Sequence, residues 1–173
     1  SQDRVYYTLA LNGGYGSITD LSSGEGAFLA DYLDLCFIAG LKAADFKSIL
    51  ASEGITMNAT VNLSNTLISG YAPENNISLL MRSLLALASD RRPDDSAFAY
   101  YSKCNELSLK HQAGSDMARM TAIDSIMCPG YIYSSYKAPG KLTPAFAVKA
   151  EKFYSSQFTK MNDGVLVIVG DIN

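Results

Sequence analysis

The sequence predicts an α+β fold in two layers, a mainly antiparallel sheet covered on one face by helices. Three observations carry this reading. Strand-like and helix-like segments follow in the order strand, two helices, hairpin, several helices, strand, which suits helices laid over one face of an antiparallel sheet better than a run of βαβ units. Hydrophobic residues are 48% of the chain and charged residues 18%, so it can bury a core instead of remaining disordered. The 173 residues suit one domain over 1–173, a size that buries roughly 68–70% of the surface its unfolded form exposes.

Taken in order, Val5–Leu11 mixes aromatic and β-branched residues and reads as a strand. Gly13, Gly14 and Gly16 break it. Ser22, Ser23 and Gly24 offer N-caps for an apolar helix over Glu25–Ala39, stopped by Gly40. A short helix over Ala43–Ser52 puts Phe46, Ile49 and Leu50 on one face, with Gly54 as its stop. Ile55–Val61 alternates like a half-buried strand, Leu63–Thr66 is turn-like, and Leu67–Tyr71 returns to complete a hairpin. Pro73 and Glu74 open a long helix to Ser89, with Ile77, Leu80, Leu84, Leu87 and Ala88 as its buried stripe. Further helices are read over Asp94–His111 and from Ser115 to Cys128. Tyr131–Lys141 is a loop rich in Tyr, Ser, Gly and Pro, and Tyr131, Tyr133 and Tyr136 make it a candidate contact surface. Thr143 then caps a helix to Phe158, with Pro144 at its first position. Val165–Val169 is uninterrupted apolar strand and is expected to be buried on both faces.

Composition and motif searches remove several functional classes. The net charge is −3 and the densest basic spot is the pair Arg91–Arg92, so electrostatic capture of nucleic acid or of an anionic membrane is not expected. No apolar run reaches the roughly 18 residues of a membrane span. His111 is the sole histidine, which rules out a two-histidine zinc site within this chain. Cys36, Cys104 and Cys128 are widely spaced and make no C-x-x-C, leaving at most one bridge and more simply three small buried residues. Gly-x-Ser-x-Gly is absent. Gly14–Gly16 and Gly24–Gly26 complete no phosphate-loop pattern, so they read as glycines for tight turns and close packing. Asp31, Asp34 and Glu106 are acids on apolar or mixed helical faces, which paired carboxylates could use for acid–base work but which solvent or caps explain as well.

Three blocks, in order, resemble the pitrilysin/insulinase family of zinc peptidases, whose members include mitochondrial processing peptidase. The first runs from Gly24 to Leu33 and is similar to the family's helix bearing H-x-x-E-H. Gly24, Phe28, Leu29 and Leu33 agree with its context, but Ala27 and Asp31 stand where the two histidines belong, and Ala30 where the general-base glutamate belongs. The second, Glu53–Thr60, resembles the family's strand entering the hairpin. The third, Asn162–Asp171, resembles the closing strand of its first-type domain. Glu106 stands near the place of the family's third zinc ligand. The resemblance therefore implies a metallohydrolase-like domain with no catalytic residue and no cofactor site of its own, with Asp31 and Glu106 as weak metal candidates. Two carboxylates are too few and too hard for tight zinc.

What the resemblance implies for function follows from the family's clamshell of four similar domains. Zinc is expected in the catalytic domain of a longer parent chain, from which this segment is expected to derive. The partners expected are other domains or subunits of the same peptidase and a peptide substrate, with no nucleic acid and no membrane insertion. The rival role is a non-proteolytic assembly subunit. The compartment, bacterial envelope or cytoplasm, stays open.

Overall fold

The structure is a computed structural model describing residues 4–22, 24–112, 114–127 and 142–170. Its main sheet has the strand order β4-β5-β1-β7, with every neighbouring pair antiparallel. β1 (Arg4–Asn12) shows why: Val5, Tyr7, Leu9 and Leu11 all point inward and are buried, the period-two alternation of a sheet with one covered face. β5 (Asn65–Pro73) pairs with β1 along its whole length, from Arg4 opposite Pro73 to Asn12 opposite Asn65. β4 (Asn58–Val61) closes one edge through a short turn in which Asn62 N–H donates to Asn65 O at 2.8 Å.

The hairpin is present, with its first strand starting at Asn58 instead of Ile55 and its second running Asn65–Pro73 instead of Leu67–Tyr71. α2 (Ala43–Ser52) buries Ala43, Phe46 and Leu50. Ile49, read onto that same face, is exposed. α3 (Ile77–Ser89) follows a helical turn at Glu74–Asn76 and buries Leu80, Leu84 and Leu87. α4 (Asp95–Gln112) and α5 (Asp116–Met127) lie within a residue or two of their expected ends. α6 (Pro144–Thr159) starts as expected: Thr143 Oγ1 accepts from Phe146 N at 3.2 Å and Pro144 occupies the first turn. Its inner side contributes Phe146, Ala150, Phe153, Tyr154 and Phe158 to the core beneath the sheet. Each large side chain buried there stabilises the fold by roughly 1.5–3 kcal/mol. Among the described residues, no helix is long and apolar enough to cross a membrane.

Two expectations are corrected. The helix over Glu25–Ala39 is instead a run of short turns, 3-10 at Gly26–Phe28, α1 at Leu29–Tyr32, and 3-10 again at Leu33–Leu35. The chain then becomes strand β2 (Cys36–Ile38). β2 sits in a second sheet, between β3 (Leu41–Lys42) and β6 (Arg91–Pro93). Ala39 and Gly40, with φ of 52° and 74°, make the tight turn from β2 to β3, a conformation suited to a two-residue hairpin. The helix fails because Cys36–Ile38 finds a partner more than fifty residues away: Phe37 pairs with Arg92, whose guanidinium lies 4.3 Å from its ring centre.

The other correction concerns β7 (Val165–Val169), expected to be buried on both faces. It pairs on one side with β1, Tyr6 opposite Val169 and Ala10 opposite Val165. Leu166 and Ile168 pack against the core. Val165, Val167 and Val169 point the other way and are 60%, 49% and 63% exposed. Among the described residues helices cover one face of the sheet and the outward valines stay exposed, and an uninterrupted apolar run does not reveal which kind of sheet it joins.

Candidate functional site

The helical turns Gly26–Leu35 set the motif positions side by side. Ala27, Ala30 and Asp31 are all half-buried there. The side chains of the two alanines offer no donor, acceptor or proton. Asp31 is the polar group of the three, and its Oδ2 accepts a 2.7 Å hydrogen bond from Tyr101 Oη on α4. Burial, reinforced by that bond and by the charge of Asp31, raises the Tyr101 phenol above its ordinary value. The pair is thus a neutral phenol held on a carboxylate, a bond that ties α1 to α4.

Glu106 is placed elsewhere. Five residues beyond Tyr101 on an α-helix is about 7.5 Å along the axis and about 140° around it, so its carboxylate is turned off the face that meets Asp31. Glu106 is exposed and takes Lys110 Nζ at 2.7 Å. Its hydrogen bond to Lys110, and then the lysine charge, hold its carboxyl below the usual range. His111, in the last turn of α4, is exposed. Among the described residues no three His, Cys, Asp or Glu side chains converge closely enough to hold a metal ion. This donor set does not fit zinc, which takes four tetrahedral ligands drawn mainly from Cys and His.

The glycine loops serve packing. Gly13, Tyr15 and Gly16 donate their N–H groups to the carbonyls of Ser64, Asn62 and Leu63 at 3.0, 3.0 and 2.9 Å, so these amides already hold the β4–β5 turn. A Cβ on Gly14 would lie 1.9 Å from Asn62 O, which explains the glycine sterically. Glu25 is buried; it accepts from Ser22 N–H at 2.7 Å and pairs with Lys149 Nζ of α6 at 2.9 Å. Asp34 pairs with Lys47 at 2.5 Å on the surface. Cys104 is exposed. Cys128, Tyr131, Tyr133 and Tyr136 lie outside the described residues.

One polar cluster behind the motif has no counterpart in the sequence reading. Arg91, read only as half of a basic pair, has a side chain 4% exposed. Its guanidinium grips Glu151 of α6 in a two-pronged contact, Nη1–Oε2 at 2.6 Å and Nη2–Oε1 at 2.9 Å. It lies over the rings of Tyr154 and Phe158, 5.6 and 5.7 Å from their centres. Tyr32 Oη and Ser155 Oγ also donate to Glu151. Burial alone would raise the Glu151 carboxyl, but its bonds to Arg91 and the arginine charge outweigh that and hold it below the ordinary value. The Cys36 thiol, 3.6 Å from Arg91 Nη1, is pushed up to about 11 by burial. Glu151 and Tyr32 also line an open, mostly apolar hollow of about 710 Å³ between α4 and α6, with Pro93, Phe98, Ala147 and Val148 on its walls. The local signals were faint: an isolated Arg after a helix and a Glu on a mixed face.

No family model and no curated protein matches the sequence, but solved structures share its architecture. The periplasmic protease PqqL from Escherichia coli superposes with a TM-score of 0.75 at 16% identity, over 100% of this chain and 19% of that one. A peptidase M16 inactive domain from Pseudomonas fluorescens gives 0.73 at 10% identity, over 100% and 42%. A protease from Helicobacter pylori gives 0.68 at 16% identity, over 99% and 42%. This chain therefore spans less than half the length of these proteins. At such identities the likeness speaks for the fold, and the fold of this chain is that of a peptidase M16 domain of the pitrilysin type.

Proposed function

We propose that this chain is a non-catalytic domain of a zinc metallopeptidase, one that helps enclose the chamber in which another domain of the same enzyme hydrolyses peptides. The observation that carries the reading is the chemistry of the turns Gly26–Leu35 within a peptidase-type fold. Ala27 and Ala30 present methyl groups where a ligand and a base are needed, and the Asp31 carboxylate is engaged by Tyr101. Activating water at neutral pH requires a metal held by several side chains, with an open position, and this donor set does not supply one.

A domain without the chemistry still contributes to catalysis if its closure excludes water and presses the peptide into position. The zinc then belongs to a partner domain carrying H-x-x-E-H. The likeness to an M16 domain described as inactive supports this reading. Zinc titration followed by native mass spectrometry of the purified chain tests it: the expected result is no tightly held equivalent and no cleavage of peptides by the chain alone. One tight zinc, or chelator-sensitive cleavage, would overturn it. Mixing with a catalytic partner domain separates the two roles, since an enclosing domain raises peptide turnover whereas an assembly subunit leaves it unchanged.

A further inference from the structure

A second open hollow, of about 310 Å³, lies between α6 and the segment from Ser17 to Asp20 that follows the first glycine turn. It is several times larger than the ~30 Å³ a single water occupies and reaches the lower end of small-molecule sites. Ile18, Val148 and Phe153 give it an apolar wall.

Gln157 of α6 also lines this hollow, yet the residue is only 5% exposed. Its Oε1 has no hydrogen-bond partner among the described residues. The backbone beside it is already spent, since Gly13 N–H donates to Ser64 O at 3.0 Å and Gly13 O accepts from Thr66 Oγ1 at 3.0 Å. A Cβ on Gly13 would lie 2.5 Å from Gln157 Nε2, so the glycine makes room for this carboxamide. A buried amide left unpaired costs stability. The last torsion of a glutamine is soft, and a small turn brings the amide to a ligand in the hollow.

Two charged residues line the same space with no ion pair among the described residues, Lys152 and Asp20, both exposed. Lys149, which also lines it, is already held by Glu25 at 2.9 Å and by Asp20 O at 2.6 Å. One free cation, one free anion and a buried amide beside an apolar wall complement a molecule that carries a carboxylate, an ammonium and an apolar body.

We propose that this hollow binds a zwitterionic apolar amino-acid unit, as a free amino acid or as a dipeptide. Its carboxylate meets Lys152, its ammonium meets Asp20 and the Gln157 amide oxygen, and its side chain packs on Ile18, Val148 and Phe153. The site goes beyond the enclosing role and does not rest on it, because binding requires neither zinc nor a second domain.

Isothermal titration calorimetry of the chain with L-leucine and with leucyl-leucine, each up to about 20 mM, tests it. At least one is expected to bind with a Kd on the order of 1 mM or tighter, and the tighter of the two identifies the source of the unit. N-acetylleucine lacks the ammonium and leucinamide lacks the carboxylate, and each is expected to bind about tenfold more weakly. Lys152→Met, an exposed change that spares the fold, is expected to weaken leucine about tenfold and to leave leucinamide unchanged. A merely structural lysine would not produce that selective loss. Gln157→Leu is expected to keep the circular dichroism of the wild type and to weaken every ligand about tenfold. No binding of leucine or leucyl-leucine, leucinamide binding as tightly as leucine, or a folded Gln157→Leu variant that binds like the wild type would each overturn the proposal. A water as the sole partner of the Gln157 amide would appear as the first of these. None of these outcomes alters the zinc titration, so the two readings fail separately.

Discussion

Tyr32 and its neighbour Asp31 are consecutive on α1, yet they serve two clusters built on opposite principles. Asp31 faces α4 and accepts a hydrogen bond from Tyr101 at a half-buried position. Tyr32 faces α6 and joins Arg91 and Glu151 in a contact where the guanidinium is almost wholly sealed from water. One step along a helix turns a side chain by about 100°, and that step separates the face that meets α4 from the face that meets the buried ion pair. The face with Ala27 and Ala30 carries methyl groups beside an acid that Tyr101 holds. The inner cluster has kept a charge that cannot be left alone.

Breaking the inner cluster should have the largest effect. Arg91→Met leaves the Glu151 carboxylate partly buried without its cation, which should cost about 3 kcal/mol and lower the melting temperature by about 10 °C. The double variant Arg91→Met/Glu151→Leu should recover much of that loss, because the penalty lies in the stranded charge. If the single variant melted like the wild type, the cluster would not be the support described here.

The same pair gives a pH signature. Glu151 has a folded pKa below its ordinary value of 4.5, so in that range the unfolded chain binds the proton more readily. Its contribution is complete above about 4.5 and is lost as the pH falls through the folded value. Urea midpoints measured from neutral to acid pH should therefore drop more steeply for the wild type than for Glu151→Gln. Equal slopes would sever the link between the ion pair and acid stability.

On the motif face the effects should be smaller. Tyr101→Phe removes one hydrogen bond to a carboxylate and should cost about 1 kcal/mol. A cycle with Asp31→Ala should return a coupling of about 1 kcal/mol between the two positions, and zero coupling would mean that the bond does not tie α1 to α4. Smallest of all, Glu106→Gln should leave the melting curve unchanged, since its ion pair with Lys110 is fully exposed and such pairs contribute little. A clear loss of stability there would restore Glu106 to the site.

Much of the architecture was legible because it is written locally. The β-forming residues of β1 and the Thr143–Pro144 cap specify their elements within a few residues. The stripe of α3 does so as well. The positions proposed as a degenerate motif were read in the same way, Ala27, Ala30 and Asp31 by their spacing against neighbouring Phe28, Leu29 and Leu33. Tyr101 was not, because its role depends on which face of α4 meets α1, and Glu106 lay nearer the expected spacing. Arg91 was not either: an arginine beside another arginine reads as surface charge until the fold brings a carboxylate from sixty residues away. β2 failed as a strand reading because its partners β3 and β6 are too short to announce themselves.

The sequence by itself determined the layered α+β class, the order and extent of most elements, and the residue types that stand at positions 27, 30 and 31. Local propensity and periodicity act over a turn or a strand, and they survive without knowledge of neighbours. Only the tertiary structure decided that Asp31 meets Tyr101, that Arg91 is buried on Glu151, and that Val165, Val167 and Val169 of β7 point away from the core. Those outcomes depend on which distant surfaces come within a few ångströms. That is set by packing the whole core at once, and short stretches of sequence do not encode it.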